Sequence, residues 1–498
     1  MNRRQIILNA LTTFAEQLAS AAVFFLLYRF LFRTIGIERL GIWSLVLATT
    51  SVITLANQGF STSIVKFVAG YAAREQAEEV SLLVQTALIS IGAALTLACL
   101  VLYPAAQWIL KIVLPHRNFA AALAILPWAL VSLWINISGD VLLAGLAGHQ
   151  LITQRNYLLF GSSAFYFLLA LLLVPRFGLL GLAYSQTVEA AASFFTAWIL
   201  LRRQIPGYPL IPCRWSRARF REMLGYGLQF QFITVCQALR EPVTKALLTR
   251  FGGLAMTGFY DMASRWVVTF RELLVQANQV LVPTVASLQE RDPDTVPRIY
   301  RESYRLIFFL AIPTFAFLLA VSPLVSLVWL GSYQPTFVRF VVILAAGWLV
   351  NVLSNPAYVV DLGTGALRWV SIGCATTAIL NLVLGFFLGK YFGGTAIVAA
   401  SVLSLALGYI LVLVSYHIEN RVHFRVLLPS ESAGILLSSI AGALVFLPFF
   451  SSSPAHSLYS LRTASGLIAA ALTMIIIPMW IHPMRKRVLH WVLSRMPA

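Results

Sequence analysis

The sequence predicts an all-α integral membrane protein of about fourteen transmembrane helices: two pseudo-symmetric six-helix lobes followed by two further helices. Three observations carry that expectation. The 498-residue chain is 59% hydrophobic and 11% charged, against about 45–50% apolar and about 25% charged in soluble domains. Its apolar runs approach the roughly 20 residues that cross a hydrocarbon core of about 30 Å. A loop pattern also recurs far down the chain.

The runs fall at 10–32, 41–65, 81–103, 119–146, 157–175, 180–201, 223–248, 254–285, 303–330, 336–362, 369–388, 395–417, 433–450 and 462–482. The first is full length and lacks a small-residue cleavage pattern behind a short apolar core, so it reads as a retained helix rather than a signal peptide. Cys99, Cys213, Cys236 and Cys374 are isolated and read as packing residues. Without a Cys-x-x-Cys or clustered histidines, neither a disulfide framework nor a metal site is suggested. No cofactor is expected. The tail from Met484 to Arg495 places Val488, Trp491 and Val492 among basic residues and reads as a short interfacial anchor.

Residues 32–46, FRTIGIERLGIWSLV, contain the recurring pattern. At 248–263 the chain reads LTRFGGLAMTGFYDMA, so Arg33, Gly36, Gly41 and Trp43 correspond to Arg250, Gly253, Gly258 and Tyr260 at a constant offset of 217. Further on, an offset of 215 pairs Asn136 with Asn351, Gly148 with Gly363, and Phe177-Gly178 with Phe392-Gly393. The lobes are therefore expected at 1–201 and 222–417, joined by a basic cytoplasmic linker at 202–221, with the two extra helices and a basic tail at 418–498. Six helices is an even number, so both lobes enter from one side and the repeat is parallel. The glycines permit a tight turn with φ > 0 between helices, the aromatic suits the headgroup level, and the arginines mark the outer interface.

The net charge of +18 invites a nucleic-acid reading. Its distribution answers otherwise, because more than half of the 36 Lys and Arg fall on the side of the two termini, as the positive-inside rule requires of cytoplasmic segments. The clusters Arg202, Arg203, Arg214, Arg217, Arg219, Arg221 and Arg485-Lys486-Arg487 set topology and meet anionic membrane lipids. Nucleic-acid binding would need a folded basic surface, and no segment outside the membrane is long enough. The chain also lacks a Gly-x-x-x-x-Gly-Lys-Ser/Thr phosphate loop, so it hydrolyses no ATP itself.

The stretches RTIGIERLGIW and LANQGFSTSIVKFVAGYAARE resemble the start of the O-antigen and polysaccharide flippases, in the MATE-like superfamily that also holds the lipid II flippases and multidrug antiporters. Where family members often carry Asp, this chain has Asn57, so no proton-binding role is assigned there. The resemblance implies a two-lobed transporter in the bacterial inner membrane, with both termini cytoplasmic, whose cavity opens alternately to either face. It also implies undecaprenyl-diphosphate-linked oligosaccharide as substrate and polysaccharide polymerase machinery as a partner. Cationic residues on helices one, two, seven and eight of similar flippases meet the diphosphate.

A charge near the bilayer centre costs at least about 2.5–3.5 kcal/mol on insertion scales and marks a functional position by default. In the eighth run Asp261, Arg265, Glu272, Gln276 and Gln279 share one narrow face. In the seventh, Gln229, Gln237, Arg240, Glu241 and Thr244 occupy about a third of the circumference. Arg271 borders the first stripe, Arg29 lies in the first run and Lys66 ends the second. Arg29, Lys66, Arg240, Arg265 and Arg271 are therefore the candidate substrate-binding residues, since guanidinium forks match phosphate oxygens. The alternative stands beside this: Asp261 and Arg265 are spaced for an intrahelical pair, Arg240 adjoins Glu241, and Lys66 can snorkel. Asp140, Glu189, Asp261 and Glu272 are the candidates for ion or proton coupling. Asp140 and Asp361 lie near expected cytoplasmic helix ends, where hydration makes a charge ordinary, so Glu189 is the strongest. Two competing functions remain. Acids outnumber bases within the helices, which suits a MATE-type antiporter of organic cations, whereas an enzyme such as a polymerase would need a sizeable outer loop that is absent.

Overall fold

The computed structural model describes residues 3–51, 55–205, 208–209, 211–227, 231–279, 292–429 and 432–444, with isolated positions at 285, 288–289 and between 465 and 485. Side chains at 3–11, 14, 55–60, 62, 73, 224–227, 231, 276–279, 293 and 443 are not included. Every regular element among these residues is an α-helix or a 3-10 helix, and no strand occurs among them. The chain divides into two compact units, Met1–Arg250 and Phe251–Ala498.

The first unit holds α1 (Arg3–Thr34), α2 (Ile37–Thr50), α3 (Leu55–Ala73), α4 (Ala77–Val113), α5 (His116–Gly148), α6 (Ile152–Phe177), α7 (Leu179–Gln204), the short α8 (Arg217–Gly227) and nearly all of α9 (Gln231–Gly252). The second holds α10 (Leu254–Gln279), α11 (Val296–Leu330), α12 (Pro335–Thr364), α13 (Leu367–Phe392), α14 (Gly394–Glu419) and α15 (Ala433–Leu444). Eight of the described helices are long and apolar enough to cross a membrane. The thirteenth expected run is helical over α15. The fourteenth, and all of the basic tail except Arg485, fall mostly outside the described residues.

Two expected runs are divided. The 41–65 run is α2 and α3, because Thr49, Thr50 and Ser51 each donate a hydroxyl hydrogen bond to the carbonyl three residues back, at 2.8, 3.0 and 2.8 Å. Such bonds compete with the helix ladder and end α2 there. The 223–248 run is α8 and α9.

Each unit repeats one packing plan. In the first, α5 packs on α3, α4 and α7, and α6 packs on α7. In the second, α12 packs on α10, α11 and α14, and α13 packs on α14. The repeated turns share backbone geometry as well: Gly36 and Gly253 have φ of 79° and 88°, and Gly178 and Gly393 have 57° and 77°. Those four supply the left-handed conformation that other residues resist. Gly41 and Gly258, by contrast, lie buried inside α2 and α10. The paired aromatics are buried too, with Trp43 and Tyr260 at 3% and 0% exposure, so the expectation of a headgroup position is corrected. The helices that follow these turns direct both aromatics into protein instead.

Large apolar side chains stay uncovered elsewhere, including Leu97, Leu100 and Trp108 on α4 and Ile379, Leu382 and Phe386 on α13. A soluble protein would bury them, whereas lipid tails solvate them at no cost. The segment at 213–222, inside and just beyond the expected linker, lies along the first unit. Backbone N–H groups of Cys213 and Arg214 donate to Gln85 Oε1 at 3.2 and 3.1 Å, Trp215 Nε1 donates to Ser90 at 2.9 Å, and Arg219 pairs with Glu79 at 2.8 Å and Glu222 at 2.9 Å. Glu222 hydrogen bonding raises the already high basicity of Arg219, and Glu79 adds to it.

Helices α13 and α14 touch through glycines. A Cβ on Gly408 would lie 2.0 Å from Thr377 Oγ1 and 2.4 Å from the Gly373 carbonyl oxygen. Gly408→Val is therefore expected to lower stability by about 1–3 kcal/mol through overpacking, read as a lower apparent melting temperature in detergent. Gly161→Ala, where nothing lies within 4 Å, is expected to leave it unchanged or slightly raised; equal effects of the two would contradict this helix contact.

Candidate functional site

Of the expected polar stripe of α10, Asp261, Arg265 and Glu272 are described with their side chains. Asp261 is 2% exposed, and its Oδ2 accepts from Arg265 Nε at 3.2 Å. The i, i+4 separation places the two groups one turn apart, and it leaves the Arg265 side chain 42% exposed. Asp261 is thus an ion-pair partner first. Gln276 and Gln279 belong to α10, but their side chains lie outside the described residues.

Arg271, on the same helix, is drawn inward. Its Nε donates to Asn351 Oδ1 at 3.0 Å, a terminal nitrogen pairs with Glu272, and the guanidinium lies over the Trp348 ring at 5.0 Å. Asn351 also meets the Tyr409 hydroxyl. The cluster therefore combines α10, α12 and α14 around one planar cation, using a carboxylate, an amide and a π face at once. Glu272 keeps 44% of its side chain exposed. Asn351, the repeat counterpart of Asn136, is the side chain that accepts from Arg271.

On α9, Arg240 is 8% exposed and Thr244 bonds back to its carbonyl at 2.8 Å. Sequence reasoning missed Lys245, which is 4% exposed and pairs with Glu241 at 2.7 Å. The i, i+4 spacing from Glu241 was the available signal. Gln237 is exposed and Gln229 lies outside the described residues. On α1, Arg29 is half-buried, with no ion pair among the described residues, and Arg33 is exposed. Lys66 on α3 is exposed and lies 5.4 Å from the Phe67 ring centre. The side chain of Asn57 is outside the described residues.

Within the first unit, α1, α5, α6 and α7 enclose a cavity of about 290 Å³ lined by Glu16, Asp140 and Glu189 together with Asn136, Ser162 and Ser193. Two coupling candidates are thereby brought into one space. Glu189 accepts a hydrogen bond from Ser162, and Glu16 accepts one from Ser20 at 3.0 Å. Neither Arg29 nor Lys66 lines the cavity. Glu16 had not been singled out, although its position on the inward side of α1 follows from the same periodicity. Asp361 also departs from expectation. It is only 6% exposed rather than hydrated at a helix end, because α14 and the turn after α12 cover it. No group of three His, Cys, Asp or Glu able to hold a metal ion occurs among the described residues.

A family model described as polysaccharide biosynthesis protein matches residues 30–338. The chain belongs to that family. Its solved structural relatives include a lipid II flippase, MurJ, in an inward closed conformation, with TM-score 0.73 and 12% identity over 98% of this chain and 100% of that one. A multidrug resistance MATE transporter of the MOP superfamily, inward-facing, gives TM-score 0.71 and 14% identity over 80% and 94%. A MOP superfamily transporter from Pyrococcus furiosus gives 0.54 and 14% over 84% and 94%, and is described as having a binding pocket of reversed polarity. No curated protein matches by sequence. This polysaccharide biosynthesis family member therefore has the fold of multi-pass MOP transporters.

The Glu241–Lys245 pair gives a direct test of charge burial in α9. Glu241→Ala removes one carboxylate partner from a buried ammonium, and a loss of about 1–3 kcal/mol is expected, since that carboxylate is itself half-exposed. The measurement is the apparent melting temperature in detergent. Adding Lys245→Met to that variant should recover most of the loss; no recovery would mean that Lys245 is held mainly by other groups.

Proposed function

We propose that this protein is a flippase that moves undecaprenyl-diphosphate-linked oligosaccharide across the bacterial inner membrane by alternating access, during surface polysaccharide biosynthesis. The observation that carries the reading is the union of family and fold: a polysaccharide biosynthesis chain built on a membrane-transporter scaffold. Sugar chains assembled on a lipid carrier must pass a bilayer that neither the glycan nor the diphosphate can enter unaided. A transporter fold answers that need, and an enzyme does not.

The role assignments extend from the geometry. Arg29, half-buried and without an ion pair among the described residues, is the first cation to meet the diphosphate. Arg271 is oriented by Asn351 and Trp348, and Arg265 is anchored at one nitrogen by Asp261 while much of its side chain stays exposed. Arg240 and Lys66 complete the proposed cationic set. Asp261 and Glu272 are engaged by arginines, so their part is to hold those forks in place. Proton or ion coupling falls to Glu189 and Asp140 in the first-unit cavity. Polymerase machinery and membrane lipids are the proposed partners.

A second reading, efflux of organic cations in exchange for protons or ions, is favoured by one specific observation, the three carboxylates around that cavity. Both readings are tested in a bacterial strain deleted for the gene. Under the first, surface polysaccharide is lost, lipid-linked precursor accumulates, and ethidium efflux is unaffected. Losing one charge-assisted phosphate contact worth about 1.5–3 kcal/mol predicts that Arg29→Ala or Arg271→Ala lowers export by about 10–100-fold at normal membrane abundance. Full export by both variants would remove the arginines from the mechanism, and ethidium sensitivity with normal polysaccharide would favour the second reading.

A further inference from the structure

A second cavity, of about 450 Å³, lies wholly within the second unit, where the end of α12 meets the end of α14. Its polar lining is Asp361, Glu419, Tyr416, Asn420, Thr364 and Gln289, and it contains no Lys or Arg among the described residues. That is notable in a chain with 36 Lys and Arg against 18 Asp and Glu.

Asp361 is 6% exposed and takes part in no hydrogen bond or ion pair through its carboxylate among the described residues. A carboxylate that is nine-tenths buried without a counter-charge is costly, and such groups are normally paired or hold a metal ion. An independent side chain at the same place has the same deficit: the Tyr416 hydroxyl, in a residue 2% exposed, has no hydrogen-bond partner among the described residues. The surrounding groups do not remedy it. Both His417 nitrogens are committed, Nε2 to Tyr300 at 2.7 Å and Nδ1 to the Val422 carbonyl at 3.1 Å. Glu419 accepts from Trp369 Nε1 at 2.6 Å, which fixes its orientation and leaves its second oxygen available.

We propose that this cavity is a binding site for a hydrated divalent cation of the Mg²⁺ class, held by Asp361 and Glu419. Two carboxylates match the charge of one divalent ion. Mg²⁺ loses its water reluctantly and is commonly held by one or two carboxylates with several waters retained. Six waters at about 30 Å³ each fit within the space, and Asn420 and Thr364 border it as hydrogen-bond partners for them. The site is separate from the arginines and from the first-unit carboxylates, so it stands independently of the transport reading.

The test uses the full chain purified in detergent and Mn²⁺ as the probe, with free Mn²⁺ followed by electron paramagnetic resonance. One saturable site per chain is expected, displaced by Mg²⁺ and not by equal Na⁺. Groups one shell out from a metal already carry about 10–100-fold of its affinity, so Asp361→Asn is expected to weaken binding at least about tenfold. Glu419→Gln, at an exposed position, serves if the first variant does not fold and should weaken binding comparably. Glu189→Gln, in the other cavity, should leave it unchanged. Absence of saturable binding to the wild type, survival of binding in Glu419→Gln, or its loss in Glu189→Gln alone would overturn the proposal.

Discussion

In a bilayer core there is no water to satisfy a polar group, and this structure is arranged around that single constraint. Backbone polarity is answered by helices. Side-chain polarity within them is answered locally where the group is small: Thr86, Ser185, Thr244, Thr249, Ser354 and Ser404 each return a hydroxyl hydrogen to the carbonyl four residues back. Charges cannot be answered so simply. They recruit partners at i+4, as Asp261–Arg265 and Glu241–Lys245 do, or across helices, as Arg271 does with Asn351. Arg240, Lys245, Asp261 and Asp361 are buried in protein, while α4 and α13 offer lipid an apolar surface.

The two units answer the constraint with one packing plan and different chemistry. Their central helices, α5 and α12, pack on equivalent neighbours, and the equivalent residues Asn136 and Asn351 both sit at polar points. Asn136 borders a carboxylate-lined cavity, whereas Asn351 orients a guanidinium. Duplication has kept the scaffold and let the polar contents diverge. The linking segment has meanwhile become part of the first unit, through Gln85, Thr86, Ser90 and Glu79 on α4.

Much of this was legible in the sequence. Helix placement followed from apolar runs, the repeat from glycine spacing, and the Asp261–Arg265 pair from a separation of four. Gly36 and Gly253 were readable as positive-φ turn residues between two helices, whereas Gly41 and Gly258, expected in the same turn, lie inside α2 and α10. Other features depended on the third dimension. Asp361 looked like an ordinary hydrated acid because burial at a helix end is decided by the covering helix α14, which sequence spacing does not reveal. Trp43 and Tyr260 looked interfacial for the same reason. Lys245 was obscured because the same residue type at a helix end usually reaches for water, and only its place beside Glu241 pointed inward.

The central claim is that this scaffold carries a lipid diphosphate glycan and that its arginines receive the diphosphate. The most direct measurement is transbilayer movement of a fluorescent undecaprenyl-diphosphate oligosaccharide in proteoliposomes containing the purified chain. The account predicts movement well above that of protein-free vesicles, strongly reduced by Arg29→Ala and competed by unlabelled diphosphate lipid but not by the uncharged polyprenol. Movement equal to that of empty vesicles, or competition by polyprenol alone, would contradict it.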